Sequence, residues 1–288
     1  MDIIPKKLAI YYGYPSLVNN SSGNLISAVN IFRNYDMLIF GSSLEQLSHP
    51  DHNNTEFIIR HSSLANTKVY GYIDSILTTN QIKNRIDLWK SMGIKGIFVD
   101  RFGFDYSVYR TKQNLILDYI HSKNLEAFVN AWNIDDVFSN NIHPICNSQG
   151  IPSNINSNDW YLAQSYQIIN GVHQNVNDWK SKSDKMIYYK QLFGTRMATT
   201  TTYDNSQFDQ EKMNYAYFST ILFNFDAFSF GEHNFSASNS QLPYRTRKPF
   251  LGTKFVSNIS EKNGIYTRET NIAIKLDTVN HTIDTLIN

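Results

Sequence analysis

A chain of 288 residues with 41% hydrophobic and 18% charged side chains has enough apolar surface to fold throughout, which excludes a disordered or low-complexity protein. Its 26 basic and 25 acidic residues nearly cancel and form no Lys/Arg-rich run, which excludes a nucleic-acid footprint. The single cysteine, Cys146, rules out an intrachain disulfide, and the absence of a long apolar run or an apolar leader leads us to expect a soluble chain with no signal peptide and no membrane insertion.

Short apolar runs alternate with helix-patterned segments along most of the sequence, the pattern of βα units around a parallel sheet. Leu8–Tyr12 is the first predicted strand and Met37–Phe40 the second, with a helix from about Leu25 to Phe32 between them. Phe57–Ile59 closes a helix, and Lys68–Ile73 is a third strand ending at Asp74. Thr79–Met92 carries Ile82, Ile86, Trp89 and Met92 at helical spacing, Gly93 stops it, and Ile97–Val99 is a buried strand ending at Asp100. A helix over Asn114–His121 precedes Ala127–Val129, which ends at Asn130, and Trp160–Ala163 ends at Gln164. After a helix near Trp179–Tyr189, weakly hydrophobic Thr195–Thr199 is a seventh strand, and Ala227–Phe230 is an eighth running to Glu232.

Eight such units in this length predict a (β/α)8 TIM barrel over residues 1–252. A doubly wound sheet would carry a glycine-rich phosphate turn after its first strand, and Tyr12-Gly13-Tyr14-Pro15 is not one. From Thr253 the pattern changes to alternation, so residues 253–288 are expected to form a small β-hairpin appendage packed on the barrel.

Barrel enzymes place their working residues at the C-terminal ends of the strands, so the shortlist is Tyr12, Asp74, Asp100, Asn130, Gln164 and Glu232. Any one acid could instead cap the following helix. Three acids at one rim also suit glycoside hydrolysis, which commonly needs a carboxyl pair about the glycosidic oxygen. Asp100 is best placed, at the end of a continuous apolar strand, while Arg101 should point the other way along the pleat and be structural. The 18 Tyr, 18 Phe and 4 Trp, with abundant Asn and Ser, suit a sugar cleft, although AT-rich codon usage produces the same bias. Tyr11, Tyr12, Tyr14, Trp132 and Trp160 are candidate stacking platforms, some of them simply core, and Trp132 is favoured because it follows Asn130. His49-Pro50-Asp51-His52 lacks a third ligand, so no metal and no cofactor are expected.

The run Gly96-Ile97-Phe98-Val99-Asp100, with Val69-Tyr70-Gly71-Tyr72-Ile73 before it and Phe128-Val129-Asn130 after it, resembles the spherulin-4 and endo-α-1,4-polygalactosaminidase-like barrels. The resemblance extends from about Leu8 to Glu232 through short motifs in order. It implies endo-hydrolysis of amino-sugar polysaccharides with Asp100 as a catalytic carboxylate and Asn130 as a sugar-binding residue. The family pattern ends its sixth strand in glutamate, where this chain has Gln164, and an amide is neither base nor nucleophile in the ordinary way. Three explanations fit this departure: an engineered glutamate-to-glutamine change that traps substrate, a natural loss of activity that leaves a catalytically silent carbohydrate-binding barrel, or a pair completed by Asp74 or Glu232. An aldolase or phosphate-ester barrel is the third reading, against which stand the lack of a late phosphate loop and of a lysine at any strand end.

Overall fold

The computed structural model describes the chain except residues 1, 2, 64, 65, 204–207, 251 and 288. In chain order the core elements are β1 (Lys6–Tyr11), α1 (Leu25–Phe32), β2 (Met37–Phe40), α2 (His52–Ser63), β3 (Lys68–Asp74), α3 (Thr79–Ser91), β4 (Gly96–Asp100) and α4 (Arg110–Ser122). There follow β5 (Glu126–Asn130), α5 (Asp135–Phe138), β6 (Trp160–Ala163), a small hairpin of β7 (Ile168–Ile169) and β8 (Val172–His173), and α6 (Val176–Phe193). The chain ends through β9 (Arg196–Thr200), α7 (Gln210–Leu222), β10 (Ala227–Ser229), β11 (Ser260–Lys262), β12 (Ile265–Glu269), β13 (Ile272–Asp277) and β14 (Thr282–Ile287).

Eight parallel strands close in the order β1-β10-β9-β6-β5-β4-β3-β2, so the fold is a TIM barrel. Alternation along each strand sends one set of side chains inward, where Ile10, Ile39, Tyr70, Phe98, Phe128 and Trp160 are among those filling the barrel. The other set meets the helices in the main core. At Gly71, an added Cβ would lie 2.2 Å from Trp89, so a glycine there lets the α3 indole lie flat on the sheet. The α3 start is a capping box between Thr78 and Gln81, and Ile82, Ile86 and Trp89 form its buried stripe.

Glu126 enters the barrel at the end opposite the strand C-termini, on the inward face of β5. It accepts from Tyr70 Oη at 2.6 Å and Trp160 Nε1 at 3.2 Å, and pairs with Lys68 at 3.1 Å and Arg196 at 3.2 Å. Burial would raise its carboxyl, but the Tyr70 hydrogen bond and the cations override this and hold it at about 2.

The seventh strand is real despite weak hydrophobicity, because its threonines are satisfied: Thr199 Oγ1 lies 2.8 Å from Thr220 Oγ1, which donates to the Ala216 carbonyl at 2.9 Å. The eighth strand stops at Ser229, short of Glu232. Helix α7 has no simple apolar stripe, since Tyr215 to Leu222 are all buried. Beyond β10, the expected hairpin is a four-stranded antiparallel meander, β11-β12-β13-β14, and its last two strands pack on α7. A helix covered by the barrel on one side and a sheet on the other is apolar nearly all round. No helix among the described residues is long and apolar enough to cross a membrane.

Candidate functional site

Asp74, Asp100, Asn130 and Gln164 share the inward phase of β3 to β6, so alternation alone aims them at the mouth of the barrel. Asp100 is the centre. Its Oδ1 accepts from Asn130 Nδ2 and from the Arg101 backbone N–H, each at 2.9 Å, and its Oδ2 accepts from Tyr72 Oη at 3.0 Å. The second hydrogen of the Asn130 amide goes to Gln164 Oε1 at 2.7 Å. Asp100, Asn130 and Gln164 thus form one connected row across three neighbouring strands, fully spending the Asn130 amide donors.

The row lies in a cleft of about 270 Å³, open to solvent and walled by Arg101, Tyr106, Trp132 and Lys182. Trp132 is 57% exposed, as a stacking platform needs to be. Behind Asp100 the mouth is roofed by Tyr12, packed edge-on against Tyr72 with centroids 5.6 Å apart and against Phe235 at 5.9 Å. Phe235 is presented by a run of left-handed residues, His233 to Ser236, whose backbone returns to β1 through a Tyr12 N–H to Phe235 carbonyl bond of 2.8 Å. Burial, then the neighbouring Asp100, keeps the Tyr12 phenol well above its ordinary range. It is therefore a neutral donor or acceptor at physiological pH.

Asp74 is the register partner of Asp100 on the adjacent strand, but its carboxylate is engaged by Arg101 and by the Ile76 N–H at 3.1 Å. Arg101 departs from expectation. Its φ of 55° takes the chain out of the strand pleat, so the side chain turns to the rim and Asp74 instead of pointing away. Glu232 is not brought to Asp100. It follows the outward phase of Phe228 and Phe230, and Arg245 clasps both its oxygens at 2.8 and 2.9 Å beside a separate cavity bounded by Tyr35 and Arg247. Tyr14 also lies outside the cleft, edge-on to His49 at 4.9 Å. Tyr11 and Trp160 are core, each fully buried. His49 and His52 are used locally: His49 Nδ1 accepts from the Asp51 N–H at 3.1 Å, and His52 Nδ1 lies 2.9 Å from the Leu44 carbonyl.

Lys182 is the residue that sequence reading missed. It sits on α6 between Trp179 and Met186, at the spacing of the buried stripe of Trp179, Met186 and Tyr189. A lysine in that phase is the one signal that could have marked it. Its Nζ stands 4.2 Å from the centre of the Trp132 ring, and burial pushes its ammonium down to about 8.

No family model matches this chain, and no curated protein does. Among solved structures it is similar to an endo-1,4-beta-mannanase from Rhizomucor miehei, at 10% identity and a TM-score of 0.48, covering 80% of this chain and 86% of that one. It is similar to a trehalose-6-phosphate hydrolase from Bacillus licheniformis at 9% identity and a TM-score of 0.48, covering 79% and 64%. A ribulose-1,5-bisphosphate carboxylase/oxygenase from Pyrococcus horikoshii gives 9% identity and a TM-score of 0.49, with 80% of this chain spanning about half, 53%, of that one. Likenesses this distant carry no argument about activity, and the barrel assignment rests on its own strand order.

Proposed function

We propose that the chain is a carbohydrate-active barrel of the glycoside hydrolase type, with Asp100 as the carboxylate that acts on a polysaccharide or glycan. The observation that carries this reading is the row Asp100–Asn130–Gln164 at the base of an open cleft beside an exposed tryptophan. The Asn130 amide and the Arg101 N–H reach Asp100 only as donors, so its lone pairs are presented in the orientation of a base or nucleophile. Asp74 is the candidate partner. It is the register neighbour of Asp100 on the adjacent parallel strand, which puts both side chains on the same face of the sheet. Asn130, Tyr72 and Trp132 would hold and stack the sugar. The amino-sugar class of substrate rests on the motif resemblance alone.

A second reading, a glycan-binding barrel without catalysis, is favoured by Gln164. It puts an amide beside Asp100 on the Asn130 bridge, while Arg101 occupies the Asp74 carboxylate. Release of reducing ends from a panel of polysaccharides by this protein, Asp100→Asn and Gln164→Glu separates the two. Activity here that is lost in Asp100→Asn supports the hydrolase with Asp74 as partner. Activity only in Gln164→Glu, or in none of the three while glycans still bind, supports the binding barrel. Absence of both hydrolysis and glycan binding overturns the proposal.

A further inference from the structure

Helix α6 carries four lysines, and three of them face carboxylates: Lys180 with Asp184 at 2.5 Å, Lys185 with Asp135, and Lys190 with Asp226 at 2.7 Å. Lys182 has neither an ion pair nor a hydrogen bond among the described residues. Instead its side chain reaches into the Asp100 cleft, and the face of Trp132 is the neighbour it has there. A ring face returns only part of the hydration that burial removes from an ammonium. At neutral pH this lysine is nonetheless mostly charged, since its titration lies near 8. An under-solvated cation aimed into an open cleft is restored by an anion arriving with the ligand.

Arg101 stands at the same rim, its guanidinium 5.8 Å from the Tyr106 ring centre. The pair with Asp74 uses part of its five-donor fork and leaves the rest for a ligand. The charged residues lining the cleft are Lys182, Arg101 and Asp100, and Asp74 beside them balances Arg101, so Lys182 is the cation there with no ion pair among the described residues.

We infer that the cleft takes a sugar unit bearing an anionic group, a uronate carboxylate or a sulfate or phosphate ester, with the anion on Lys182 and Arg101 and the ring against Trp132. This deepens the glycan reading of the site and rests on it. A sugar with a free ammonium group would meet like charge at Lys182 and is expected to bind more weakly than an anionic one.

Calorimetric titration of the full chain tests the inference with oligomers of matched length: oligogalacturonides, neutral galacto-oligosaccharides and glucosamine oligomers, with inorganic sulfate as a sugar-free anion. Oligogalacturonides should bind at least about tenfold more tightly than neutral oligomers, as a charge-assisted contact gives, and high salt should erode the difference. Lys182→Gln should abolish the preference and Lys182→Arg should retain it. Lys182 has no hydrogen bond to lose and Lys182→Gln removes an unpaired, partly desolvated charge, so neither variant should lower the thermal midpoint. Equal affinity for the neutral oligomers, a preference for glucosamine oligomers, or a uronide preference that survives Lys182→Gln each overturns the inference while leaving a glycan site in place. Sulfate binding that depends on Lys182, with no oligosaccharide bound, keeps the anion site and removes the glycan reading. Failure of every probe to bind overturns both.

Discussion

Asn130 and Asp100 are joined by a 2.9 Å hydrogen bond across neighbouring barrel strands, and the same Asn130 amide reaches Gln164 at 2.7 Å. One side chain therefore sets the angle of both groups that a bound sugar would meet. Asn130→Ala leaves Asp100 with Tyr72 and the Arg101 N–H and frees the Gln164 carboxamide to rotate. Glycan affinity is expected to weaken by about tenfold, the worth of a hydrogen bond to a charged group. Titration of the variant with any glycan that binds the parent checks this, and an unchanged dissociation constant would remove Asn130 from the site.

Glu126 closes the opposite end of the barrel, and its role there is stability. Its carboxyl is held at about 2 against an ordinary 4.5, so the folded state binds its proton less readily than the unfolded one. The stabilisation is complete above about 4.5 and is lost as pH falls from there through about 2. Glu126→Gln keeps the shape but removes the charge that Lys68 and Arg196 face. It should cost on the order of 2 kcal/mol at neutral pH, with the difference from the parent shrinking across that acid window. Urea midpoints at a series of pH values provide the check. A constant difference down to pH 2 would assign the cost to shape rather than charge.

His173 on β8 stacks flat on His281 in the turn between β13 and β14, with centroids 4.1 Å apart and planes 7° from parallel. Tyr215 of α7 meets both rings edge-on. Burial first, then His281 and Lys212, lowers His173 to about 4 from an ordinary 6.5, against an opposing pull from Asp209. In this case the folded state stays neutral while the unfolded state takes a proton, so stability falls as pH drops from about 6.5 to about 4. His173→Phe keeps a ring in the stack and removes the proton. Its thermal midpoint should decline less than the parent's between those pH values, and parallel declines would show that the histidine pair does not set the acid limit.

Much of the frame was legible before any coordinates. Strand alternation is local, so the ends of Lys68–Asp74, Gly96–Asp100, Glu126–Asn130 and Trp160–Ala163 could be read as one rim, and Asp100, Asn130 and Gln164 do meet there. Alternation fails where the backbone leaves the strand. Arg101 turns at a positive φ, and Glu232 lies beyond the end of β10 in the outward phase, held by an arginine thirteen positions later. Helix α7 gave no periodic signal, because it is buried between the barrel and a sheet contributed by the last thirty residues or so.

What the amino-acid order determined by itself was the period of the barrel strands and of most helices, hence the barrel and the inward phase of the Asp100 row, because those depend on neighbours one to four residues away. Only the tertiary structure decided which distant groups complete the site. Lys182 comes more than eighty residues after Asp100 and reaches the cleft from α6, a helix that follows β6 and whose buried side packs on β9 and on Tyr166 just after β6. Such a placement follows from how helices lie on the sheet, a relation between surfaces that no local pattern encodes.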